Sequence, residues 1–175
     1  MITFEEKIKA LEWLVFDVDG VFTDGRMYFD SKGEAMKAFH IQDGLGIALA
    51  RKAGLKIAIL TARTSGMVAS RAAELKIDEI IQGSKNKGEA VEILSHRVNC
   101  PLSKMAFMGD DLVDLPAMTR VGVKATLSDG ADEVKQIADW VSTRPGGRGA
   151  IREWIEVILK IRGEWDSLVL EYMRL

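Results

Sequence analysis

A chain of 175 residues is long enough to bury one sizeable core and short for two, so a single domain over residues 1–175 is expected. Hydrophobic residues make up 47% and charged residues 29%, with a mean hydropathy of +0.03, a composition that excludes a disordered chain. The 24 basic residues against 26 acidic ones leave a net charge of -2, so no overall basic field exists to hold nucleic acid or an anionic membrane, and small ligands become the expected partners. Cys100 is the only cysteine, which excludes an internal disulfide and a multi-thiolate metal site. The opening MITFEEKIKALE is charged throughout, and no apolar run approaches the roughly 18 residues of a spanning helix, so a cytoplasmic location is expected.

Thr3 and Glu6 have the spacing of a capping box, and Phe4, Ile8 and Leu11 follow at helical intervals, predicting a helix over Thr3–Glu12. Trp13–Val18 is an apolar run interrupted only by Asp17, the pattern of a strand buried on both faces. Gly20 and Gly25 end it. Over residues 26–41, the runs Met27–Phe29 and Met36–Ile41 flank Asp30-Ser31-Lys32-Gly33, predicting a β-hairpin. Helices are then expected at Asp43–Ala53, Ser65–Leu75, Lys87–Val98, Val113–Arg120, Ala131–Ala138 and Gly149–Ile161. Strands alternate with them at Lys56–Leu60, Glu79–Ile81, Met105–Met108, Gly122–Ala125 and Asp139–Val141.

This alternation predicts an α/β fold, a Rossmann-like, doubly wound and mostly parallel sheet, with a small β-hairpin inserted after the first strand and no cap domain. The Gly-rich run Pro145–Gly149 sets off a C-terminal tail, residues 145–175, in which Ile151, Trp154, Ile155, Ile158, Trp165, Leu168 and Tyr172 recur at helical spacing. Such a stripe must be covered, by the chain's own core or by another subunit.

Ligands of open parallel sheets bind at the carboxyl ends of the strands. The polar residues predicted there are Asp17 and Asp19, then Thr61, then Lys87, then Asp110, Asp111 and Asp114. Singly, each reads equally as a cap or turn residue, and Lys87 as a solvated charge. Together, five carboxylates and one lysine at one sheet edge would repel each other unless a cation sat among them. Oxygen ligands without a His or Cys cluster suit Mg²⁺. A carboxylate beside Mg²⁺ can act as a nucleophile toward phosphorus, with a second group to protonate the leaving oxygen and activate water. Asp17 and Asp19, two apart on an extended segment, can divide those roles, while Thr61 and Lys87 bind the equatorial oxygens.

The segments DVDGVFTDG from Asp17, LTAR from Leu60, QGSKNKGEA with Lys87, and GDDLVDLP from Gly109 resemble, in order and spacing, the four motifs of the haloacid dehalogenase superfamily of phosphatases. The hairpin segment GEAMKAFHIQDGLGI and the later GGRGAIRE are similar to its nearly capless branch, whose substrates are 2-keto-3-deoxy sugar acid phosphates. The resemblance implies Asp17 as nucleophile, Asp19 as acid/base, and Mg²⁺ held by Asp17, the Asp19 carbonyl and Asp110, with Asp111 and Asp114 behind them. It implies a homotetramer whose hairpins associate and whose Gly-rich tail reaches a neighbouring active site.

Substrate contacts implied by the same resemblance are Asp19, His40, Gln42, Asp43, Gly44, Arg63, Arg71, Lys87 and Arg148, some across a subunit boundary. Ala62 stands where the second motif usually has Gly, and Gln42 where the family often has Arg, whose fork can grip a carboxylate bidentately. The implied substrate is 3-deoxy-D-manno-octulosonate 8-phosphate, with the nine-carbon 2-keto-3-deoxynononate 9-phosphate as the nearest rival. A phospho-accepting receiver domain also places acids, a Thr and a Lys at parallel strand ends, but lacks a second Asp two residues after the acceptor and the hairpin. Without a cap, water exclusion falls to the hairpin, the Gly-rich tail or a second subunit, so deleting the residues after Arg144 is expected to harm sugar-phosphate turnover selectively.

Overall fold

In the computed structural model, which describes residues 2–174, the apolar runs form strands and the segments between them form helices. Met1 and Leu175, the two ends of the expected domain span, lie outside the described residues. In chain order the elements are α1 (Phe4–Lys9), β1 (Trp13–Phe16), β2 (Tyr28–Asp30), β3 (Gly33–Met36), α2 (Ile41–Lys52), β4 (Lys56–Leu60), α3 (Gly66–Glu74) and β5 (Glu79–Ile81). They continue as α4 (Lys87–Arg97), β6 (Met105–Met108), α5 (Leu115–Met118), β7 (Val123–Thr126), α6 (Asp132–Ile137), β8 (Trp140–Val141), α7 (Ala150–Ile161) and α8 (Trp165–Met173).

Six strands form one parallel sheet in the order β5-β4-β1-β6-β7-β8, while β2 and β3 pair antiparallel as a separate hairpin. β1 lies at the centre, with Phe16 opposite Ile59 on one side and Met108 on the other. Consecutive β1 side chains point to opposite faces. Leu14 and Phe16 join the core shared with α1, α2 and α7, and Trp13 and Val15 join the one shared with α4 and α5. Burial on both faces is why the inner strands read as unbroken apolar runs. The chain leaves β1 toward β4 on one side and returns through β6 on the other, so the crevice at the β1 and β6 carboxyl ends is the switch point where such sheets bind ligands.

Several boundaries differ from expectation. α1 has its capping box, with Thr3 accepting from the Glu6 backbone N–H, but ends at Lys9. The second hairpin arm is Gly33–Met36, not Met36–Ile41: the tight turn at Ser31-Lys32 brings Gly33 straight back opposite Asp30, and Ile41 already opens α2. The helix expected over Val113–Arg120 is a 3-10 turn at Leu112–Asp114 followed by the short α5. There Asp111 caps the turn and accepts from the Leu112 N–H, and the first residues wind more tightly than an α-helix, with about 3.0 residues per turn in place of about 3.6.

The segment set apart as a tail divides in two. Ile151, Trp154, Ile155, Ile158 and Leu159 of α7 are fully buried in the chain's own core, whereas in α8 only Leu168 is buried and Leu170, Tyr172 and Met173 are exposed. Deleting everything after Arg144 would therefore not be a selective cut. Each of those α7 side chains is worth about 2–5 kcal/mol, and together they are comparable to or larger than the whole stability of a typical domain, about 5–15 kcal/mol.

The Gly-rich run is also docked on its own chain. Gly147 N–H donates to Val21 O at 3.0 Å, and a Cβ on Gly146 would stand 1.7 Å from Gly20 O. Only glycine lets these two backbones approach so closely.

Candidate active site

Asp17 continues past the last β1 residue, its N–H donating to Met108 O at 3.0 Å, so the sheet ladder itself fixes where its carboxylate emerges. The chain then turns through Gly20, whose φ of +96° and closeness to Asp110 both demand glycine: a Cβ there would lie 2.0 Å from Asp110 Oδ2. Thr23 holds this turn, its hydroxyl oxygen accepting from the N–H groups of Gly20 and Gly25 at 3.3 Å each. Thr61 follows β4, Lys87 opens α4 behind the Asn86 cap, and Asp110 follows β6. Asp17, Asp19, Thr61, Ala62, Arg63, Lys87, Asp110, Asp111 and Val113 line one open pocket of about 210 Å³.

At its floor sits a buried charge cluster. Lys87, 2% exposed, places Nζ 2.8 Å from Asp17 Oδ1 and 2.5 Å from Asp114 Oδ1. Burial works against its ammonium, but the Asp17 and Asp114 carboxylates outweigh it and hold the pKa above lysine's ordinary value. Asp114, 0% exposed, accepts from the N–H groups of Asp110 at 2.9 Å and Asp111 at 3.2 Å through its second oxygen. Its lone pairs are thus committed to the loop and the lysine, which leaves it supporting the site from behind.

Asp17, Asp110 and Asp114 each bring a carboxylate oxygen within 4.8 Å of the others. Burial first, then the Asp114 charge, push Asp17 up to about 6 against the pull of Lys87. Burial, then Asp114 and Asp17, push Asp110 up to about 8. One lysine does not neutralise three clustered carboxylates, two buried and one half-buried, and the donors are all oxygen, so the set fits a hard divalent cation such as Mg²⁺. Asp17 and Asp110 are the acids free to hold it.

Of the expected substrate contacts, Asp19, Arg63 and Lys87 line the pocket, and His40, Gln42, Asp43, Gly44, Arg71 and Arg148 do not. Asp43 is buried and accepts from the N–H groups of Arg152 at 2.8 Å and Gly149 at 3.3 Å, so it caps α7. Burial outweighs these bonds and raises its pKa. Gln42 Oε1 accepts from Arg144 at 3.3 Å, beside the Gly-rich run. Gly44 leaves room for Arg71, whose guanidinium lies over Phe39 and donates to Glu74 at 2.8 Å. Arg148 is exposed.

Sequence reasoning missed Val113 and, more consequentially, Lys37 and Glu34. Lys37 reaches back from the hairpin to an ion pair with Asp19, and no local pattern distinguishes it from a solvated hairpin lysine.

Strand order, switch-point crevice and buried acids define a class, and sequence comparison agrees with it. Residues 76–151 match the profile of the haloacid dehalogenase-like hydrolases. The chain is 36% identical over 160 residues to the 3-deoxy-D-manno-octulosonate 8-phosphate phosphatase of Haemophilus influenzae, an alignment covering 91% of this chain and 89% of that one. It therefore belongs to the haloacid dehalogenase-like hydrolases and, within them, to the family of the 3-deoxy-D-manno-octulosonate 8-phosphate phosphatases.

A crystal structure of the phosphatase of that name from Moraxella catarrhalis, in complex with a magnesium ion, a phosphate ion and KDO, superposes with a TM-score of 0.93 at 38% identity, covering 96% of this chain and 97% of that chain. The cobalt-bound Haemophilus influenzae phosphatase superposes with a TM-score of 0.89 at 36% identity, covering 91% and 93%. Among the described residues no helix is long and apolar enough to cross a membrane.

Proposed function

We propose that this chain is a Mg²⁺-dependent phosphatase that hydrolyses 3-deoxy-D-manno-octulosonate 8-phosphate through a phospho-Asp17 intermediate. The observation that carries the reading is the set of three carboxylates, Asp17 and Asp114 buried and Asp110 half-buried, within 4.8 Å of one another, one lysine among them, at the switch point of the sheet. A divalent cation held by Asp17, the Asp19 carbonyl and Asp110, when bound, supplies the positive charge that keeps Asp17 ionised beside an anionic phosphate.

Asp17 attacks phosphorus, forming the acyl phosphate as the bond from phosphorus to the sugar oxygen breaks. Asp19 delivers the proton to that oxygen, then takes one from the water that cleaves the acyl phosphate. Thr61 and Lys87 hold the equatorial phosphate oxygens, and Arg63 faces the sugar acid at the mouth of the same pocket. Asp43 acts through α7 rather than on the substrate.

The proposed assembly is a homotetramer meeting through its hairpins, supported by the exposure of Met27, Tyr28, Phe29, Met36 and Ile41 on and beside them. In it His40, Gln42, Arg71 and Arg148, which lie off the chain's own pocket, serve a neighbouring one. The proposed location is the cytoplasm, in keeping with a single, buried thiol.

The test is phosphate release from the eight-carbon and the nine-carbon 2-keto-3-deoxy acid phosphates, with and without Mg²⁺. Mg²⁺-dependent release is expected, with the higher kcat/KM for the eight-carbon ester. Asp17→Asn should abolish turnover of both. Undiminished turnover in that variant would remove Asp17 as nucleophile, and a phosphorylated wild-type protein stable for minutes would favour a signalling receiver instead.

A further inference from the structure

A lysine buried on an otherwise exposed hairpin needs a physical cause. Ala35, Met36 and Ala38 around it are exposed, yet the Lys37 side chain is only 1% exposed. Its ammonium donates to Asp19 Oδ1 and stands 2.9 Å from Glu34 Oε1, an ion pair outside hydrogen-bond geometry. From the other side Arg63 comes within 3.7 Å of Asp19 Oδ2 and 3.8 Å of Glu34 Oε1. The four charges alternate in sign and sum to zero, so Lys37 is not a surplus cation awaiting an anion. It does not line the phosphate pocket either, whereas Asp19 and Arg63 do.

Taking an ammonium out of water is costly unless its partners are fixed. Here the partners are the carboxylate assigned as acid/base and a glutamate from the hairpin itself. We propose that Lys37 is a positioning residue: braced by Glu34, it holds the Asp19 carboxylate in place at the pocket, so that the hairpin forms part of the catalytic apparatus. The inference rests on the phosphatase reading above, with Asp19 as the group that protonates the leaving oxygen. An acid in proton transfer must lie within hydrogen-bond reach of its target, and an aspartate free to rotate spends much of its time elsewhere. Arg63, farther from Asp19 than Lys37 is, cannot hold it alone.

The experiment uses two esters. A sugar alkoxide needs a proton as it leaves, while 4-nitrophenolate leaves readily without one. In Lys37→Met, kcat for the sugar phosphate should fall about 10- to 100-fold, a part of the 10²–10⁴-fold that general acid catalysis supplies, and kcat for 4-nitrophenyl phosphate at least about tenfold less. KM for the sugar phosphate should stay within about threefold. Lys37→Arg should restore most of kcat, Glu34→Gln should repeat the pattern at smaller size, and Lys37→Met should add no further loss in an Asp19→Asn background.

Equal losses on both esters, a rise in KM alone, or a full further loss on top of Asp19→Asn would overturn the assignment. Glu34→Gln keeps the test valid if Lys37→Met folds poorly. Failure of the wild-type protein to release phosphate from either ester would sink the phosphatase reading instead.

Discussion

The two lysines that pair with Asp17 and Asp19 are held by very different parts of the molecule. Lys87 sits at the start of a helix packed on the sheet, and its partners are 5% and 0% exposed, Asp17 directly after β1 and Asp114 in the 3-10 turn that follows β6. Lys37 stands on a two-stranded hairpin separate from the main sheet, whose own strands are half-buried at most. A cluster built on strand ends cannot rearrange without breaking the sheet, whereas one built on a hairpin can dissolve by moving the hairpin. The first arrangement suits groups that must never move during phosphoryl transfer. The second suits a group whose position is to be coupled to something outside the core, such as a bound sugar or a neighbouring subunit.

The sharpest way to break this contrast is Lys87→Met. Removing the ammonium leaves Asp17 and Asp114 buried without their counter-charge, and breaking a buried pair of this kind costs about 3–5 kcal/mol. A fall in Tm of many degrees is expected, together with loss of turnover on every ester, because Lys87 also faces the pocket. The same substitution at Lys37 should cost far less stability, since the hairpin can retreat and let water reach Asp19 and Glu34. Comparable Tm losses at the two positions would show that the hairpin is as rigid as the sheet.

The same difference decides what the sequence made legible. Asp17, Thr61 and Asp110 were readable because each follows an apolar run, and a strand buried on both faces has one place for a polar group to emerge. That they share one edge of the sheet followed from its parallel strands, which the alternation of helix and strand implied; which strands are neighbours is visible only in the structure. Lys37 was not readable: its partner Asp19 is 18 positions away, and the pairing depends on where the hairpin folds, which its turn decides. Asp43 shows the opposite case, an expected pocket residue that the structure places under α7. An acid near a helix start looks the same whether it binds ligand or caps another helix, and the Arg152 N–H that claims it lies 109 positions downstream. α7 and α8 also read as one apolar stripe, although this chain covers all of the α7 stripe and, in α8, buries only Leu168.

A smaller effect separates the buried cluster from the hairpin by pH. Without a cation, Asp17 is raised to about 6 and Asp110 to about 8, above their ordinary 3.8. The folded protein then keeps protons that the unfolded chain has released, so stability falls as pH rises from about 4 to about 8 and the full penalty persists above that. Magnesium should offset the penalty by binding the ionised acids. The Tm gained on adding Mg²⁺ to the chelated protein should therefore be larger near pH 9 than near pH 5. An equal gain at both pH values would mean that the cation binds somewhere other than Asp17 and Asp110.

The smallest expected change in the protomer, and the most informative about the hairpin, is Phe29→Asp. Phe29 is 63% exposed, beside the exposed Tyr28 and Met36, so within one chain it covers almost nothing and its loss should leave far-UV circular dichroism unchanged. A cluster of exposed apolar side chains on a two-stranded ribbon is poorly stable by itself, however, and gains most by meeting another copy. If the hairpins associate, a carboxylate placed there must be desolvated at the contact or break it. The variant should then sediment as a smaller species than the wild type, and its turnover of sugar phosphate should fall more than that of 4-nitrophenyl phosphate, because the brace on Asp19 is carried by the same hairpin. An unchanged sedimentation coefficient would place the subunit contact elsewhere. A smaller species with undiminished selectivity would show that the Lys37 brace stands without assembly, and so that the hairpin's two tasks, joining subunits and holding the acid, are independent.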